Sequence, residues 1–363
     1  MCWAGPAAFS KTINVDWTGH GDFTKLQDAI NSIPKNNQQW VLINLRPGNY
    51  RERVTVDRPF ISLRGEGTDN TMVEYSSGGG IFNGTFSVMA DNFVAKRISF
   101  KNNYNRPLVE EYNPRKQAAA VRVRADKVAF YECQFIGVQD TLLDDSGRHF
   151  YHSCVIKGCI DFICGSGQSR FENCRLQING NEQHVPVGYI TAQARANPYD
   201  TNGFVFIRCT VTGSGNVYLG RPWGSHARVL FYQSYLGANV LPKGWDAWTR
   251  ENQVADITLA ESGCSGPGSK ESNRVPWEKK LSDKELNMLT IADSDRRLSG
   301  RWVDFGDRHQ RPIIATDVIA KMSQIFALMW LDVAPRVSDC YQRPIPLLIS
   351  VVANSSSDGI PSL

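Results

Sequence analysis

The stretch that decides the fold is QDTLLDDSGRHFYHSCVIKGCIDFICGSGQSRFENC, which spans Gln139–Cys174. It contains Asp140 and Asp161, which are 21 residues apart, each in a short polar segment between apolar runs. Cys133 and Cys154 have the same separation, so each aspartate lies seven residues after a cysteine. A repeat of this length predicts stacked structural units in which equivalent positions lie directly above one another.

The repeat has a chemical consequence for the two aspartates. Stacked parallel strands lie about 4.8 Å apart, so the two carboxyl groups are expected to be close neighbours. Two carboxylates at that distance do not both ionise easily, and the pKa of one of them should rise. The sequence therefore predicts a carboxylic acid beside a carboxylate. Such a pair suits catalysis, although a stacked pair can also be purely structural.

The composition is that of an ordinary globular chain. It has 363 residues, of which 42% are hydrophobic and 21% charged, and a formal net charge of +4. This charge suits a polyanionic ligand but also many proteins without one, and no Lys/Arg block with interleaved aromatics indicates nucleic acid. The longest apolar run, near residues 325–331, is too short to cross a membrane. Nine cysteines without a CxxC pair argue against a zinc ribbon, and residues 1–10 show no signal peptide.

From Phe86 onward the sequence repeats an aromatic residue, then a Cys or Ser, then an apolar strand. The aligned positions, separated by steps of 21, 20, 35 and 25 residues, are Cys133, Cys154, Cys174, Cys209 and Ser234. The longest step contains a predicted extra loop around residues 180–200. Three short strands per turn of 20–25 residues predict an all-β fold, a right-handed parallel β-helix. A β-sandwich is the alternative, but the Asn-Gly hairpin turns that it needs are scarce.

The two ends of the chain differ from this ladder. Residues 23–34 have apolar side chains at helical spacing up to Pro34, which predicts a short N-terminal helix that caps the β-helix. Ser282 with Glu285 three residues later is a capping-box sequence and predicts a second helix. Residues 1–10 are interpreted as an N-terminal segment, 11–292 as the domain and 293–363, which lack the ladder pattern, as a tail that is expected to be disordered.

The aligned cysteines have two explanations. Small buried residues on successive coils form an internal ladder, for which a free Cys is well suited. Stacked positions about 4.8 Å apart are also within the Cα range of a disulfide, so a bridge between Cys154 and Cys174 stays open.

Five other side chains could complete a site around the aspartates. Gln117 lies about one coil before the first aspartate and Gln139 directly precedes it, and amides can donate hydrogen bonds to a developing oxyanion. Arg221 could hold a carboxylate through two hydrogen bonds. Trp223 and Trp248 offer flat faces on which sugars stack. Each of these residues taken alone has an equally ordinary structural explanation.

Six segments taken together favour a catalytic site. They are RPGNYRE (46–52), TFSVMADNFVAKRISFKN (85–102), QAAAVRV (117–123), GVQDTL (137–142), DFICGSG (161–167) and YLGRPW (218–223). In type and order they resemble the motifs of the pectinesterases (pectin methylesterases), in particular the plant type without an inhibitor-like pro-region. The resemblance covers about residues 11–292 and is specific, because several independent motifs agree.

The resemblance implies a role for each matching residue. Asp161 is expected to be the nucleophile, Asp140 the general acid/base, and Gln117 with Gln139 the oxyanion hole. Arg221 resembles the arginine that orients the nucleophile. Substrate contacts are expected from four aromatic residues, Trp223, Tyr218, Phe162 and Trp248. Two further comparisons concern cysteines: some members carry a disulfide at the positions of Cys154 and Cys174, and Cys164 stands where the family usually has Phe.

The implied activity is removal of the methyl ester from galacturonate units of pectin with release of methanol, without a metal or cofactor. The family works in the cell wall, so the chain is expected to be secreted. It is also expected to be a monomer, with pectin and a proteinaceous pectinesterase inhibitor as partners and no nucleic acid or membrane. The absence of a G-x-S-x-G elbow argues against a serine esterase. Alternatives are a pectate lyase, a polygalacturonase, and a catalytically silent wall protein that binds pectin or an inhibitor.

Overall fold

Short strands follow one another along the chain at regular intervals. The computed structural model describes residues 9–78, 80–105 and 116–290, which form 25 strands and two α-helices. The first part contains β1 (Lys11–Val15), α1 (Leu26–Asn31), β2 (Val41–Leu45), β3 (Gly48–Arg51), β4 (Val54–Val56), β5 (Ile61–Arg64), β6 (Thr71–Tyr75), β7 (Phe86–Val88), β8 (Phe93–Lys96) and β9 (Ser99–Asn102).

The middle of the chain continues the same pattern with shorter connections. It contains β10 (Val121–Arg124), β11 (Val128–Tyr131), β12 (Gln134–Ile136), β13 (Leu142–Ser146), β14 (Arg148–His152), β15 (Val155–Gly158), β16 (Ile163–Gly165), β17 (Gln168–Glu172) and β18 (Arg175–Asn179). The last part contains β19 (Val187–Gln193), β20 (Gly203–Ile207), β21 (Thr210–Ser214), β22 (Asn216–Pro222), β23 (Arg228–Tyr232), β24 (Tyr235–Leu236), β25 (Thr258–Ser262) and α2 (Asp283–Thr290).

The strands form three sheets in which all recorded pairings are parallel. Sheet 1 has the order β1-β2-β5-β8-β11-β14-β17-β20-β23-β25, sheet 2 the order β22-β19-β16-β13-β10-β7-β4, and sheet 3 the order β24-β21-β18-β15-β12-β9-β6-β3. Each coil supplies one strand to sheet 2, the next to sheet 1 and the third to sheet 3. The fold is a right-handed parallel β-helix, which confirms the predicted fold class.

The strand register confirms the period read from the sequence. In sheet 1, successive partners are Val128, His149, Ser169, Phe204 and Val229, which reproduce the steps of 21, 20, 35 and 25 residues. The prediction for residues 180–200 was wrong in one respect. This segment contains β19, which pairs with β16 and β22 in sheet 2, so only its two flanks are loops.

The cysteine ladder lies where the chain turns from sheet 1 to sheet 3. On five coils the turn has a non-glycine residue with φ between 50° and 53°, followed by a buried Cys or Ser; these turn residues are Glu132, Ser153, Asn173, Arg208 and Gln233. The thiol of Cys154, for example, contacts the carbonyls of Phe130 and His152 at 3.4 Å. A small side chain with a weak donor therefore satisfies the backbone at a corner where larger groups would not fit.

The interior is filled by a column of stacked rings. Tyr151, Phe171, Phe206 and Phe231 follow one another with ring centroids 4.5 Å apart and interplanar angles of 15° or less. This spacing is close to the distance of about 4.8 Å between coils, so the repeat that sets the strand register also sets the ring stack. Each such contact stabilises by about 0.5–1.5 kcal/mol beyond the burial of apolar area.

The predicted N-terminal capping helix is confirmed as α1. It buries Leu26, Ala29 and Ile30 against the first coils. No side chain within the helix caps its start; instead, the Glu52 carboxylate accepts hydrogen bonds from the N–H groups of Leu26 and Gln27 at 2.7 and 3.0 Å. The positive end of the helix dipole also stabilises a carboxylate at this position.

The second helix begins with the predicted capping box. The Ser282 N–H donates to the Glu285 carboxylate at 2.8 Å, and the Glu285 N–H to the Ser282 hydroxyl at 3.4 Å. α2 packs on the outer face of sheet 1, and neither helix in the described ranges is long and apolar enough to cross a membrane. The predicted tail and most of the N-terminal segment lie outside the described residues, so the domain boundaries at 11 and 292 stay predictions.

A fully buried ion pair lies between β13 and β14. His149 Nδ1 is 3.0 Å from Asp144 Oδ2, and its Nε2 is 2.8 Å from the carbonyl of Ala125. The same carboxylate accepts hydrogen bonds from Tyr151 and Ser169, each at 2.6 Å. Burial acts to lower the pKa of His149, but the charge and hydrogen bond of Asp144 raise it above its ordinary value. Both ring nitrogens face acceptors, which favours the imidazolium form.

This pair predicts a pH-dependent stability. Because the pKa of His149 is raised in the folded state, its contribution is complete below the unfolded value of about 6.5 and is lost as the pH rises through the folded value. We expect His149→Gln to lower the free energy of unfolding by about 3–5 kcal/mol at mildly acidic pH, and by less as the pH rises. Urea unfolding across pH measures this, with the exposed His20→Gln as control. If the difference in the free energy of unfolding between the wild type and His149→Gln stays constant or widens as the pH rises, the charged pair of His149 with Asp144 is wrongly assigned.

Candidate active site

The two aspartates lie at the same corner of consecutive coils, where the chain passes from sheet 3 to sheet 2. Asp140 shortly precedes β13 and Asp161 shortly precedes β16, with φ of 56° and 46°. The Asp140 N–H donates to the carbonyl of Ile160 at 3.0 Å, so the residues are stacked as the 21-residue repeat predicts. They are only 2% and 4% exposed. Aspartate tolerates this left-handed backbone better than most residues, which favours it at such a sharp corner.

Arg221 joins the pair from β22, two strands further along sheet 2. Its Nε donates to Asp161 Oδ1 at 2.9 Å, and its Nη2 donates to Asp161 Oδ2. This two-pronged geometry is the strongest form of Arg–carboxylate pairing and fixes the orientation of the carboxylate. The residues are 60 positions apart in the sequence, and only the winding of the coils brings them together.

The environments of the two carboxyl groups give them different pKa values. Burial and the nearby charge of Asp161 raise the pKa of Asp140 to about 8. Burial also raises the pKa of Asp161, but the hydrogen bonds and charge of Arg221 oppose that rise. Asp140 Oδ2 is buried without a hydrogen-bond partner among the described residues. The shared proton therefore belongs on Asp140 and the negative charge on Asp161.

The two glutamines flank this pair. Gln117 is partly buried just before β10, and its side chain contacts the Asp140 carboxyl. Gln139 is partly buried, directly precedes Asp140, and its backbone bridges to Ile160 on the next coil. The Gln117 amide is thus beside the Asp140 carboxyl, and the Gln139 backbone lies at the same corner.

Aromatic side chains form a row beside Arg221. Trp223 and Trp248 stack with ring centroids 5.1 Å apart, and Trp223 is 49% exposed. Tyr218 is half-buried and stacks on Tyr189 with centroids 5.5 Å apart. The row offers flat apolar faces along one side of the aspartate corner.

Phe162 does not lie in this row, contrary to the prediction. It is fully buried in the interior of the β-helix, where its Cβ lies against the backbone of Gly158. The turn at Asp161 sends consecutive side chains in opposite directions, so Asp161 faces outward and Phe162 inward. The outward position after the turn belongs instead to Cys164, which packs with Leu143 and Ala192.

The bridge between Cys154 and Cys174, which the sequence left open, is not formed in the structure. Both residues are buried free thiols that hydrogen-bond to backbone carbonyls, and burial raises the pKa of Cys174 well above its ordinary value. The internal-ladder explanation of these cysteines fits their contacts. The thiol of Cys164 is also free; it lies 3.7 Å from the carbonyl of Leu142 and contacts the Asp140 carboxyl.

Sequence reasoning missed two residues of the site. Tyr189 stands in the segment interpreted as a loop, although the alternation in VGYITAQ was a signal for a strand. Asp246 stands in no motif that the sequence singles out, and its hydrogen bond with the Tyr189 hydroxyl at 2.7 Å joins residues 57 positions apart. No spacing rule in a single sequence indicates such a contact.

Comparison with solved structures assigns the fold to a class of protein, the β-helical pectin methylesterases. Among solved structures, the chain is similar to the pectin methylesterase from carrot, with a TM-score of 0.74, 25% identity, and coverage of 84% of this chain and 99% of the carrot chain. It is also similar to the Aspergillus niger pectin methylesterase, with a TM-score of 0.69, 26% identity, and coverage of 83% and 99%.

Sequence relatives lead to the same class. Probable pectinesterase 29 of Arabidopsis thaliana is 45% identical over 302 residues, which are 82% of this chain and 90% of the relative. Probable pectinesterase 55 of the same plant is 46% identical over 296 residues, which are 80% and 89%. The profile of the Pectinesterase family matches residues 12–293. The chain belongs to the pectinesterase family, and it is an enzyme.

Proposed function

We propose that the chain demethylesterifies the galacturonate units of pectin, with Asp161 as the nucleophile and Asp140 as the general acid and base. The observation that carries the proposal is the stacked pair itself: a carboxylate held by Arg221 directly beside a carboxyl whose pKa is raised to about 8. The family membership supports the substrate class, and the site chemistry supports the roles.

In the first step, the Asp161 carboxylate attacks the carbonyl carbon of the methyl ester. The bond from that carbon to the methoxy oxygen then breaks, and Asp140 gives its proton to the oxygen so that methanol leaves. The negative charge that develops on the carbonyl oxygen is stabilised by the side-chain amides of Gln117 and Gln139. The product is an acyl-enzyme anhydride between Asp161 and the galacturonate.

In the second step, Asp140 is ionised and acts as a base. It takes a proton from water, whose oxygen attacks the galacturonyl carbon, and Asp161 leaves as a carboxylate held again by Arg221. The proton taken from water leaves Asp140 protonated again, the galacturonic acid departs and loses its own proton to solvent, and the site is ready for the next ester. One carboxyl thus serves as acid and then as base.

We propose that the aromatic row holds the polymer. Trp223 and Trp248 stack beside Arg221, and Tyr218 continues the row. A pectin methylesterase similar to this chain in fold has been solved in complex with a hexasaccharide, which supports a groove that binds several sugar units. Action in the cell wall after secretion, a proteinaceous inhibitor as partner and a monomeric state stay predictions that the family resemblance supports.

The raised pKa of Asp140 predicts the pH dependence. The first step needs Asp161 ionised and Asp140 protonated, so kcat/KM should rise with pH as Asp161 ionises and fall as the pH passes about 8. Methanol release from pectin, measured between about pH 5 and about pH 9, tests this expectation. An activity that keeps rising through this range contradicts the assignment of Asp140 as the acid.

The proposal is tested against its alternatives by analysing both products in one sample. An esterase releases methanol and leaves the chain length unchanged. A polygalacturonase or a lyase shortens the chain without releasing methanol, and a silent binding protein retains pectin but produces neither change.

A further inference from the structure

The Arg221 guanidinium lies between two aromatic rings. Its Cζ is 4.3 Å from the ring centroid of Tyr189 and 4.7 Å from that of Trp248. The three residues come from successive coils, and both distances are close to the coil spacing of about 4.8 Å. Because the rings cover both faces of the guanidinium, only its edge is left to donate hydrogen bonds to Asp161.

Asp246 joins the two residues that carry these rings. Its Oδ2 accepts a hydrogen bond from the Tyr189 hydroxyl at 2.7 Å, and its Oδ1 accepts one from the Trp248 backbone N–H at 2.9 Å. Its own N–H donates to the carbonyl of Gly220 at 3.2 Å, directly before Arg221 in the chain. Asp246 therefore connects the Tyr189 side chain, the backbone of Trp248 and the strand that carries the arginine.

We propose that Tyr189 and Asp246 are positioning residues that fix the plane of the Arg221 guanidinium and, through it, the attacking carboxylate of Asp161. The inference rests on the function proposed above, because it gives these residues a role only through that carboxylate. A two-pronged Arg–carboxylate pair requires the two groups to lie in nearly one plane. We call the hydrogen bond between Tyr189 and Asp246 the tie. If the tie is removed, the two rings separate, the guanidinium turns, and the Asp161 carboxylate turns with it.

The tie also has an effect on the pH profile. The charged and titratable groups that face Asp161 are Arg221, the stacked Asp140 and the thiol of Cys164. Only Arg221 opposes the effect of burial on the pKa of Asp161. A guanidinium that turns away opposes it less, so the pKa of Asp161 rises and the acidic limb of kcat/KM moves to higher pH. A change that merely loosens the surface has no reason to move this limb.

The experiment compares the full chain with Tyr189→Phe, which keeps the ring but loses the tie, and with Asp246→Ala. We expect kcat for pectin to fall about tenfold in each, since misplacement of a reacting group by about 1 Å costs up to about 10²-fold. KM should stay within about twofold in Tyr189→Phe. The acidic limb of the kcat/KM profile should shift to higher pH. Because both variants cut one tie, the double variant should be no slower than Asp246→Ala alone.

Two matched controls use the neighbouring loop. Tyr199 is 91% exposed, and Tyr199→Phe with Asp200→Ala removes the same groups at a surface position, so wild-type kinetics are expected. A Tyr189→Phe variant with wild-type kcat and pH profile overturns the tie and leaves the proposed function standing. Additive losses in the double variant also overturn it. A wild-type chain that releases no methanol instead overturns the proposed function, and the tie with it.

Discussion

Replacing Asp161 with Asn is expected to lower the rate of methanol release by about 10⁴-fold or more, as removal of a nucleophile does in other covalent hydrolases. An amide of the same shape cannot attack the ester carbonyl, and it cannot form the charged pair with Arg221 at Nε–Oδ1 2.9 Å. The loss should appear in kcat, because the aromatic row that we propose holds the polymer is untouched. Initial rates on highly methylated pectin measure it.

A matched control comes from the same sheet. Asp145 on β13 also pairs with an arginine, since its Oδ2 accepts hydrogen bonds from Arg122 Nε and Nη2 at 3.0 and 2.7 Å. Asp145→Asn therefore removes an equivalent ion pair away from the aspartate corner and should retain activity. If the two variants lose activity equally, the effect of Asp161→Asn reflects a lost ion pair rather than a lost nucleophile.

Replacing Asp140 with Asn is expected to have the second largest effect, a loss of about 10²–10⁴-fold. The variant keeps the nucleophile but has no proton for the departing methanol and no base for the water. It should also lose the fall in kcat/KM above about pH 8, because that limb belongs to Asp140. Rates across the pH range measure both effects together.

Glu278 provides the control for this variant. Like Asp140, it is a buried carboxyl with a raised pKa and an oxygen without a hydrogen-bond partner in the described part of the chain. Glu278→Gln removes that carboxyl far along the chain from the site and should leave the alkaline limb in place. If Glu278→Gln removes the limb and Asp140→Asn does not, the proton donor has been wrongly assigned.

The fold could be predicted because a repeating structure repeats its sequence. The separation of Cys133 and Cys154 is the same 21 residues as the register between β11 and β14, so one number gave both the coil length and the stacking of Asp140 on Asp161. In a repeating backbone, the spacing of residues in the sequence predicts directly which positions lie next to each other on successive coils. This prediction does not require the direction of the side chains.

Spacing carries no information about which way a side chain points at a corner, or about contacts between distant segments. The family resemblance implied a substrate contact for Phe162, but the left-handed turn at Asp161 sends this side chain into the core. Tyr189 and Asp246 meet across 57 residues, and nothing local connects them. The disulfide between Cys154 and Cys174 was open for the same reason: equal spacing suits a ladder of thiols as well as a bridge.

The measurement that tests the account most directly is the parallel determination of methanol and reducing chain ends from highly methylated pectin, for the wild-type chain and Asp161→Asn. The account predicts methanol without new chain ends from the wild type, and a rate lower by about 10⁴-fold or more from the variant. New chain ends without methanol, or a variant within about tenfold of the wild type, would contradict an esterase that works through Asp161.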